Sequence, residues 1–417
     1  MSERVVIDEL GAQGDGIAQT PAGPLYVPFT LPGETVLAEI RAKGRAALRT
    51  VETASSQRQE PACRHFGECG GCAVQHVAPE AYAAWKRAKV VRALQSRSLE
   101  AEVAPLVTCP PNSRRRVTLT ARTLGNRILL GYNAAQSHHL IDIEECPIAA
   151  PEIVAALEDM RVLARILAPR NKPLRLAVTA TATGLDIAVG AAGRLEEKRR
   201  QKAVECALAG RFARLSFDGE VLVECEKPVV QFGDVPVAVP PGGFLQATAH
   251  AEKTMAAHIL RHLDGAKNVA DLFAGSGTFT LRLARHSRVH AVEGDAAALA
   301  ALSHAARTAP GLKPVSSEKR DLFHRPLLPR ELDAFDGLVF DPPRAGAEAQ
   351  SQQIARSKVR RVAAISCNPG TLARDLAILV EGGYRIAEVT PIDQFLWSPH
   401  VEVVALLERS GKRPSSP

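Results

Sequence analysis

No uninterrupted apolar stretch of about 18 residues occurs in the chain, so a membrane-spanning helix is not expected. The opening MSERVVIDEL has no apolar core of signal-peptide length. The protein is therefore expected to be soluble and cytoplasmic, with no membrane partner. Disulfides rarely persist in the cytosol, so the eight cysteines are expected to be reduced thiols, metal ligands or catalysts. Internal repeats are absent, and the one low-complexity piece is the tail SGKRPSSP, which reads as disordered.

With 417 residues the chain exceeds one ordinary core and is expected to hold two or three domains. Lys plus Arg number 52 against 45 Asp plus Glu, a formal charge of +7 that favours an anionic partner. Residues 1–56 read as short strands punctuated by GAQGDG and LPGE, the texture of a small β-barrel of oligonucleotide-binding type. Residues 57–245 hold a cysteine-rich knot, the helical pattern AYAAWKRAKVVRALQ and a run of hairpins. That helix is read with Lys86, Arg87, Lys89 and Arg92 on an exposed basic face, and Arg114, Arg115 and Arg116 add to the charge. Residues 246–417 alternate helices with short apolar strands, the signature of a doubly wound, Rossmann-like α/β sheet.

In NVADLFAGSGTFTLRLA an apolar strand ends at Asp271 to Phe273, Gly275 and Gly277 turn the chain, and a helix begins. Thr280 stands where a third glycine would complete a dinucleotide fingerprint, and no Gly-Lys-Ser/Thr follows, so a phosphate-rich cofactor is disfavoured. Glu293 ends the next strand, where an acid can accept from both ribose hydroxyls. S-adenosylmethionine fits these features: its sulfonium needs no phosphate cradle, and Asp271, Glu293, Asp321 and Asp341 supply carboxylates at strand ends. In FDPPRAG, Arg344 occupies the slot where amino-methyltransferases commonly carry an aromatic, which disfavours N-methylation of adenine.

Cys367 ends the apolar run ISC, and Asn368-Pro369-Gly370 stops that strand and starts a helix. A thiol near a helix N-terminus is expected to be biased toward thiolate. Carbon 5 of uracil is a poor nucleophile, so its methylation requires a thiolate to add first to carbon 6 and a base to remove the carbon 5 proton afterwards. Glu402, at the start of a final strand in SPHVEVVALLER, is the candidate base, although alone it reads equally well as a strand-edge charge.

Assembled in this order, the chain resembles the RNA 5-methyluridine (uracil-C5) methyltransferase family, and within it the iron-sulfur branch that modifies 23S ribosomal RNA. The resemblance spans nearly the whole chain and rests on GGFLQ, DLFAGSGTFTL, FDPPRAG, SCNPGTLARDL and HVEVVALLER. It implies Cys367 as nucleophile and Glu402 as base. It puts Gln246, Phe273, Gly275, Thr278, Glu293, Asp321 and Asp341 in the cofactor site, and makes residues 1–56 an RNA-binding TRAM domain. Thr278 departs from the asparagine usual at its position.

Cys63, Cys69 and Cys72 follow a C-x5-C-x2-C spacing, with Cys146 far downstream. Four thiolates suit either a cubane cluster or zinc, and spacing does not separate them; the family likeness favours [4Fe-4S]. The C-x3-C-x2-C of radical enzymes is absent, so a structural or RNA-contacting cluster is expected. Cys109, Cys206 and Cys225 read as bystanders. The expected protein is a monomeric RNA methyltransferase that flips a uridine out of folded RNA. Two alternatives stand beside it: a transfer RNA methyltransferase, whose branch is expected to lack the knot and the barrel, and a non-catalytic RNA-binding ribosome assembly factor.

Overall fold

The computed structural model describes residues 2–41, 44–168, 172–190 and 195–409; the SGKRPSSP tail lies outside the described residues. The N-terminal segment forms two three-stranded antiparallel sheets, one of Ser2–Val6, Thr35–Ile40 and Ala46–Thr53, the other of Glu9–Leu10, Asp15–Thr20 and Gly23–Pro28. In Gly23–Pro28 the side chains alternate, with Leu25 and Val27 buried and Tyr26 turned outward. Ile7, Ala18, Leu25, Val27, Val36, Ala38 and Ala46 form the shared core. At Gly16 any Cβ would collide with Thr30 Oγ1, so the GDG turn admits no side chain there.

The middle of the chain builds a seven-stranded sheet ordered Leu140–Asp142, Arg127–Asn133, Arg116–Leu124, Leu174–Thr181, Gly184–Gly190, Arg214–Phe217, Glu220–Glu224. Helix Leu157–Leu167 sends Leu157, Met160, Leu163 and Ala164 into its core, the i, i+3, i+4 spacing of an amphipathic stripe.

The C-terminal sheet has eight strands in the order Val315–Lys319, Arg288–Glu293, Asn268–Leu272, Gly337–Phe340, Arg361–Ser366, Glu402–Arg409, Tyr384–Asp393, Val107–Thr108. The first five run parallel. Glu402–Arg409 is inserted antiparallel between Arg361–Ser366 and Tyr384–Asp393. The strand order reverses between Asn268–Leu272 and Gly337–Phe340, and a ligand crevice belongs at the carboxyl ends of those strands.

Packing crosses the boundaries that composition suggests. Val107–Thr108 joins the C-terminal sheet, and Val90 and Leu94 of helix Pro79–Gln95 share a core with Leu372 and Leu376 of helix Pro369–Glu381. The hairpin Val229–Phe232/Val235–Ala238 also packs on the C-terminal unit, against Leu281 and Ala305.

Of the basic face expected on helix Pro79–Gln95, Arg87 and Arg92 are exposed, Lys89 is half-buried and Lys86 is internal. Lys86 is fully buried and ion-paired to Asp393, and Lys89 donates to the carbonyls of Ala12 and Pro399 while lying 4.8 Å from the Trp85 ring centroid. The exposed Arg87 donates to Val103 O, and the exposed Arg92 has no side-chain partner among the described residues. Among the described residues, no helix is long and apolar enough to cross a membrane.

Candidate active site

Strand Asn268–Leu272 delivers Asp271 into the interior and then breaks into a left-handed turn, with φ of 61° at Phe273, 55° at Gly275 and 99° at Gly277. Glycine adopts this conformation without a steric penalty, which accounts for Gly275 and Gly277, while Phe273 adopts it with its side chain present. Glu293, at the end of the neighbouring strand, accepts from Gly275 N at 2.9 Å and from Asp295 N at 2.7 Å, locking the loop to the sheet. Asp271 accepts from Thr280 Oγ1 at 2.5 Å, so the residue that replaces a third glycine serves as a donor to a buried acid.

Above this loop lies a cavity of about 490 Å3. Gln246, Phe273, Gly275, Thr278, Glu293 and Asp341 line it, together with Cys367 and Glu402. Asp321 does not line it: this acid sits on an exposed turn and accepts from Phe323 N at 3.0 Å. Phe323 in turn lies 5.5 Å from Phe273, centroid to centroid.

Cys367 and Glu402 meet through the antiparallel insertion. Ser366 pairs with Val403, so the residue after one and the residue before the other emerge at the same open end of the sheet. Asp341 ends the strand on the other side of Arg361–Ser366. A chain of hydrogen bonds joins the two acids. Gln246 Nε2 donates to Asp341 Oδ2 at 2.6 Å, and Gln394 Nε2 donates both to Gln246 Oε1 at 2.9 Å and to Glu402 Oε2.

Burial pushes Asp341 up to about 7, against the hydrogen bond from Gln246. Burial and then Asp341 push Glu402 well above the usual carboxylate range, against the hydrogen bond from Gln394. Burial, then Glu402 and Asp341, push the Cys367 thiol up to about 11. The expected bias toward thiolate is thus reversed in the ligand-free protein. Burial comes first and the two acids add to it, while the Gly370 N–H at the helix end is already taken by Asn368 Oδ1 at 3.1 Å. Arg344 alone among the neighbouring side chains pulls the thiol down.

Among the lining residues that escaped the sequence reading as site residues are Gln394, Phe395, Phe244 and Arg114. Phe244 is 68% exposed, an aromatic left at the mouth. Arg114 and Arg344 have no side-chain hydrogen bond or ion pair among the described residues; Arg114 lies 5.7 Å from the Phe395 ring centroid. Of the two neighbours of Arg114 in the basic run, Arg115 is held within the protein and Arg116 also lines the cavity. Arg115 pairs with Glu252 and donates to Gln246 O at 3.0 Å, and Arg116 donates to Gly242 O at 3.2 Å.

Cys63, Cys69, Cys72 and Cys146 line a second cavity, of about 330 Å3, and Arg114 and Phe395 form part of its wall as well. The distant Cys146 is brought in by Arg64 N donating to Glu145 Oε1 at 2.7 Å and by Glu144 N donating to His65 Nε2 at 3.1 Å. Gly70 N donates to Asn133 O at 3.0 Å, an approach that a Cβ would obstruct. Burial, and then the neighbouring thiols of Cys146, Cys69 and Cys63, push Cys72 up to about 12 against a hydrogen bond with Gln75. Among the described residues no three His, Cys, Asp or Glu side chains lie close enough to hold a single metal ion. Four thiols around one cavity are a donor set that either a cubane cluster or zinc would take. Cys109 is buried, Cys206 half-buried and Cys225 exposed, all outside both cavities.

A Rossmann-like sheet with an antiparallel penultimate insertion and an acidic cavity at its switch point defines a class I S-adenosylmethionine-dependent methyltransferase. The tRNA (Uracil-5-)-methyltransferase family matches residues 315–410. An uncharacterized RNA methyltransferase of Brucella suis is 57% identical over 406 residues, covering 97% of this chain and 98% of that one. The 23S rRNA (uracil(1939)-C(5))-methyltransferase of Pectobacterium atrosepticum is 31% identical, covering 98% of this chain and 94% of that one. Among solved structures, the fold is similar to the Pyrococcus abyssi tRNA (uracil-54, C5)-methyltransferase in complex with S-adenosyl-L-homocysteine. The TM-score is 0.76 at 22% identity, over 97% of this chain and 99% of that chain. The chain belongs to the RNA uracil-5-methyltransferase family, and it is an S-adenosylmethionine-dependent RNA uracil-C5 methyltransferase.

Proposed function

We propose that this enzyme methylates carbon 5 of one uridine in 23S rRNA, with Cys367 as nucleophile and Glu402 as base. The convergence of Cys367, Glu402 and Asp341 on one cavity rim carries the reading. The thiol, once deprotonated, adds to carbon 6 of the uracil and leaves an enolate. S-adenosylmethionine, when bound, supplies the electrophilic methyl group that carbon 5 accepts. Glu402 then takes the carbon 5 proton, and re-formation of the carbon 5–carbon 6 double bond expels the Cys367 thiolate. A carboxylate held above its usual range is suited to this, because it is a stronger base than an exposed glutamate.

Gln246, Phe273, Gly275, Thr278, Glu293 and Asp341 would hold the methyl donor, with Asp321 outside the cavity lining. Cys63, Cys69, Cys72 and Cys146 would hold a [4Fe-4S] cluster that ties the knot to the hairpin sheet. Arg114 and Arg344, unpaired among the described residues, are available to phosphates, and residues 1–56 would act as a TRAM-type RNA-binding unit.

The full-length likeness to a 23S rRNA enzyme supports the rRNA substrate. A transfer RNA substrate is the second reading. The Pyrococcus structure, named for tRNA, overlaps 97% of this chain, so overall architecture does not separate the two substrates as expected.

The test is methyl transfer to RNA from cells lacking this gene, followed by mass mapping of 5-methyluridine in ribosomal and transfer RNA. A new 5-methyluridine in 23S rRNA is expected; its appearance in transfer RNA alone would overturn the rRNA assignment. Cys367→Ala should abolish incorporation, and Glu402→Gln should accumulate a covalent protein–RNA adduct. Full activity of the first variant would rule out the covalent route.

A further inference from the structure

The catalytic reading leaves unexplained the amide chain that runs between the two buried acids. Gln394, Gln246 and Glu402 are each 3% exposed, so their polar atoms must find partners inside the protein. Ala247 N donates to Gln394 Oε1 at 3.0 Å, which fixes the orientation of that amide. Nε2 must then be the end that faces Glu402 and Gln246, and both of its hydrogens have acceptors. Gln246, with its oxygen taken by Gln394, is oriented in turn and must present its nitrogen to Asp341. The direction of the whole chain therefore follows from one backbone N–H.

The segment that carries Gln394 is itself pinned. Asp393 pairs with Lys86 and accepts from Tyr82 OH at 2.6 Å, and Lys86 also donates to Phe395 O at 2.9 Å. Residues on both sides of Gln394 are thus held by one helix, Pro79–Gln95. Of the two Glu402 oxygens, Oε2 takes the Gln394 hydrogen bond, and Oε1 has no hydrogen-bond partner among the described residues on a side chain that lines the cavity.

Resting on the catalytic reading above, the geometry points to Gln394 as the positioning residue of the reaction: its amide aims the Glu402 carboxylate at the carbon 5 proton and links it, through Gln246, to Asp341. A hydrogen-bond donor stabilises the ionised carboxylate in a site where burial favours the neutral acid. Charged or titratable groups around Glu402 are Asp341, Cys367 and Arg344, with Arg114 and Arg116 across the cavity; Asp393 faces Lys86 instead.

The test is the pH dependence of adduct resolution in a single turnover, using unmodified RNA and S-adenosylmethionine with the full-length protein. In Gln394→Met the donors are lost at similar volume. Resolution should slow about tenfold at neutral pH and its midpoint should rise by about one unit, while adduct formation stays within about twofold. Gln394→Glu keeps an acceptor for the Ala247 N–H and should shift the midpoint the same way. An unchanged midpoint in either folded variant, or loss of methyl transfer with no adduct, would overturn the positioning role. Wild type and Glu402→Gln are run alongside: if Glu402→Gln traps no adduct, the catalytic reading fails instead of this one.

Discussion

Lys86 and Asp393, 307 positions apart in sequence, form an ion pair in which neither side chain is exposed to solvent. Removing one partner of such a pair strands a charge in the interior. Lys86→Met is expected to destabilise the protein by about 3–5 kcal/mol, and Lys86→Met combined with Asp393→Asn should recover much of that loss. Urea melts of the single and double variants check the coupling.

The reactivity of Cys367 should report its acidic surroundings. With the thiol pushed up to about 11, alkylation of the ligand-free protein should climb with pH through the alkaline range rather than level off near neutrality. Arg344→Ala should slow alkylation further at a given pH, because that guanidinium favours the thiolate. Peptide-resolved mass spectrometry after timed iodoacetamide exposure distinguishes this thiol from the other seven cysteines.

Asp271 gives a stability signature. Burial pushes it up to about 7 from a usual value of 3.8, against the Thr280 hydrogen bond. A folded value above the unfolded one means that the folded state holds the proton more tightly. The resulting stabilisation is complete below about pH 4 and is lost as pH rises through about 7. Asp271→Asn has no proton to lose, so its stability relative to wild type should rise by about 1.4 kcal/mol for each pH unit across that window. Denaturant melts of the cofactor-free protein between pH 4 and 8 provide the measurement.

The four-cysteine cavity makes a metal prediction. Protein purified without oxygen should carry about four iron atoms with matching acid-labile sulfide per chain, and Cys146→Ala should lose most of both. Zinc in stoichiometric amount with no sulfide would overturn the cluster. Circular dichroism of the depleted protein should show loss concentrated in the hairpin sheet, since the knot is anchored at Asn133 and Glu144–Glu145.

Arg114 lies between the two cavities with no ion pair among the described residues. If it contacts a phosphate, Arg114→Ala should lower the slope of log affinity against log salt by about 0.7–0.9. Binding titrations of the RNA at several salt concentrations read that slope directly.

Strand ends with strong punctuation were legible in the sequence. Cys367 before Asn-Pro-Gly, Asp341 before Pro-Pro and the Gly275/Gly277 turn all occupy the edge where their sequence context puts them. Gln394 was not legible, because an amide after an apolar strand carries no local mark and its partner Gln246 lies 148 residues away. Lys86 was misread for the same reason: a lysine at helical spacing looks solvated until a remote Asp393 is brought against it, while Arg87 and Arg92 of the same helix are exposed as expected.

Local sequence by itself determined where strands stop, where the backbone must turn left-handed and which chemical groups the chain owns, because these depend on near neighbours and on backbone sterics. Only the tertiary structure decided which groups share a cavity and what state they are in. Insertion of Glu402–Arg409 between two strands sets Glu402 beside Cys367. Burial with Asp341 then raises both, because the energy of a charge depends on the three-dimensional arrangement of solvent and other charges around it.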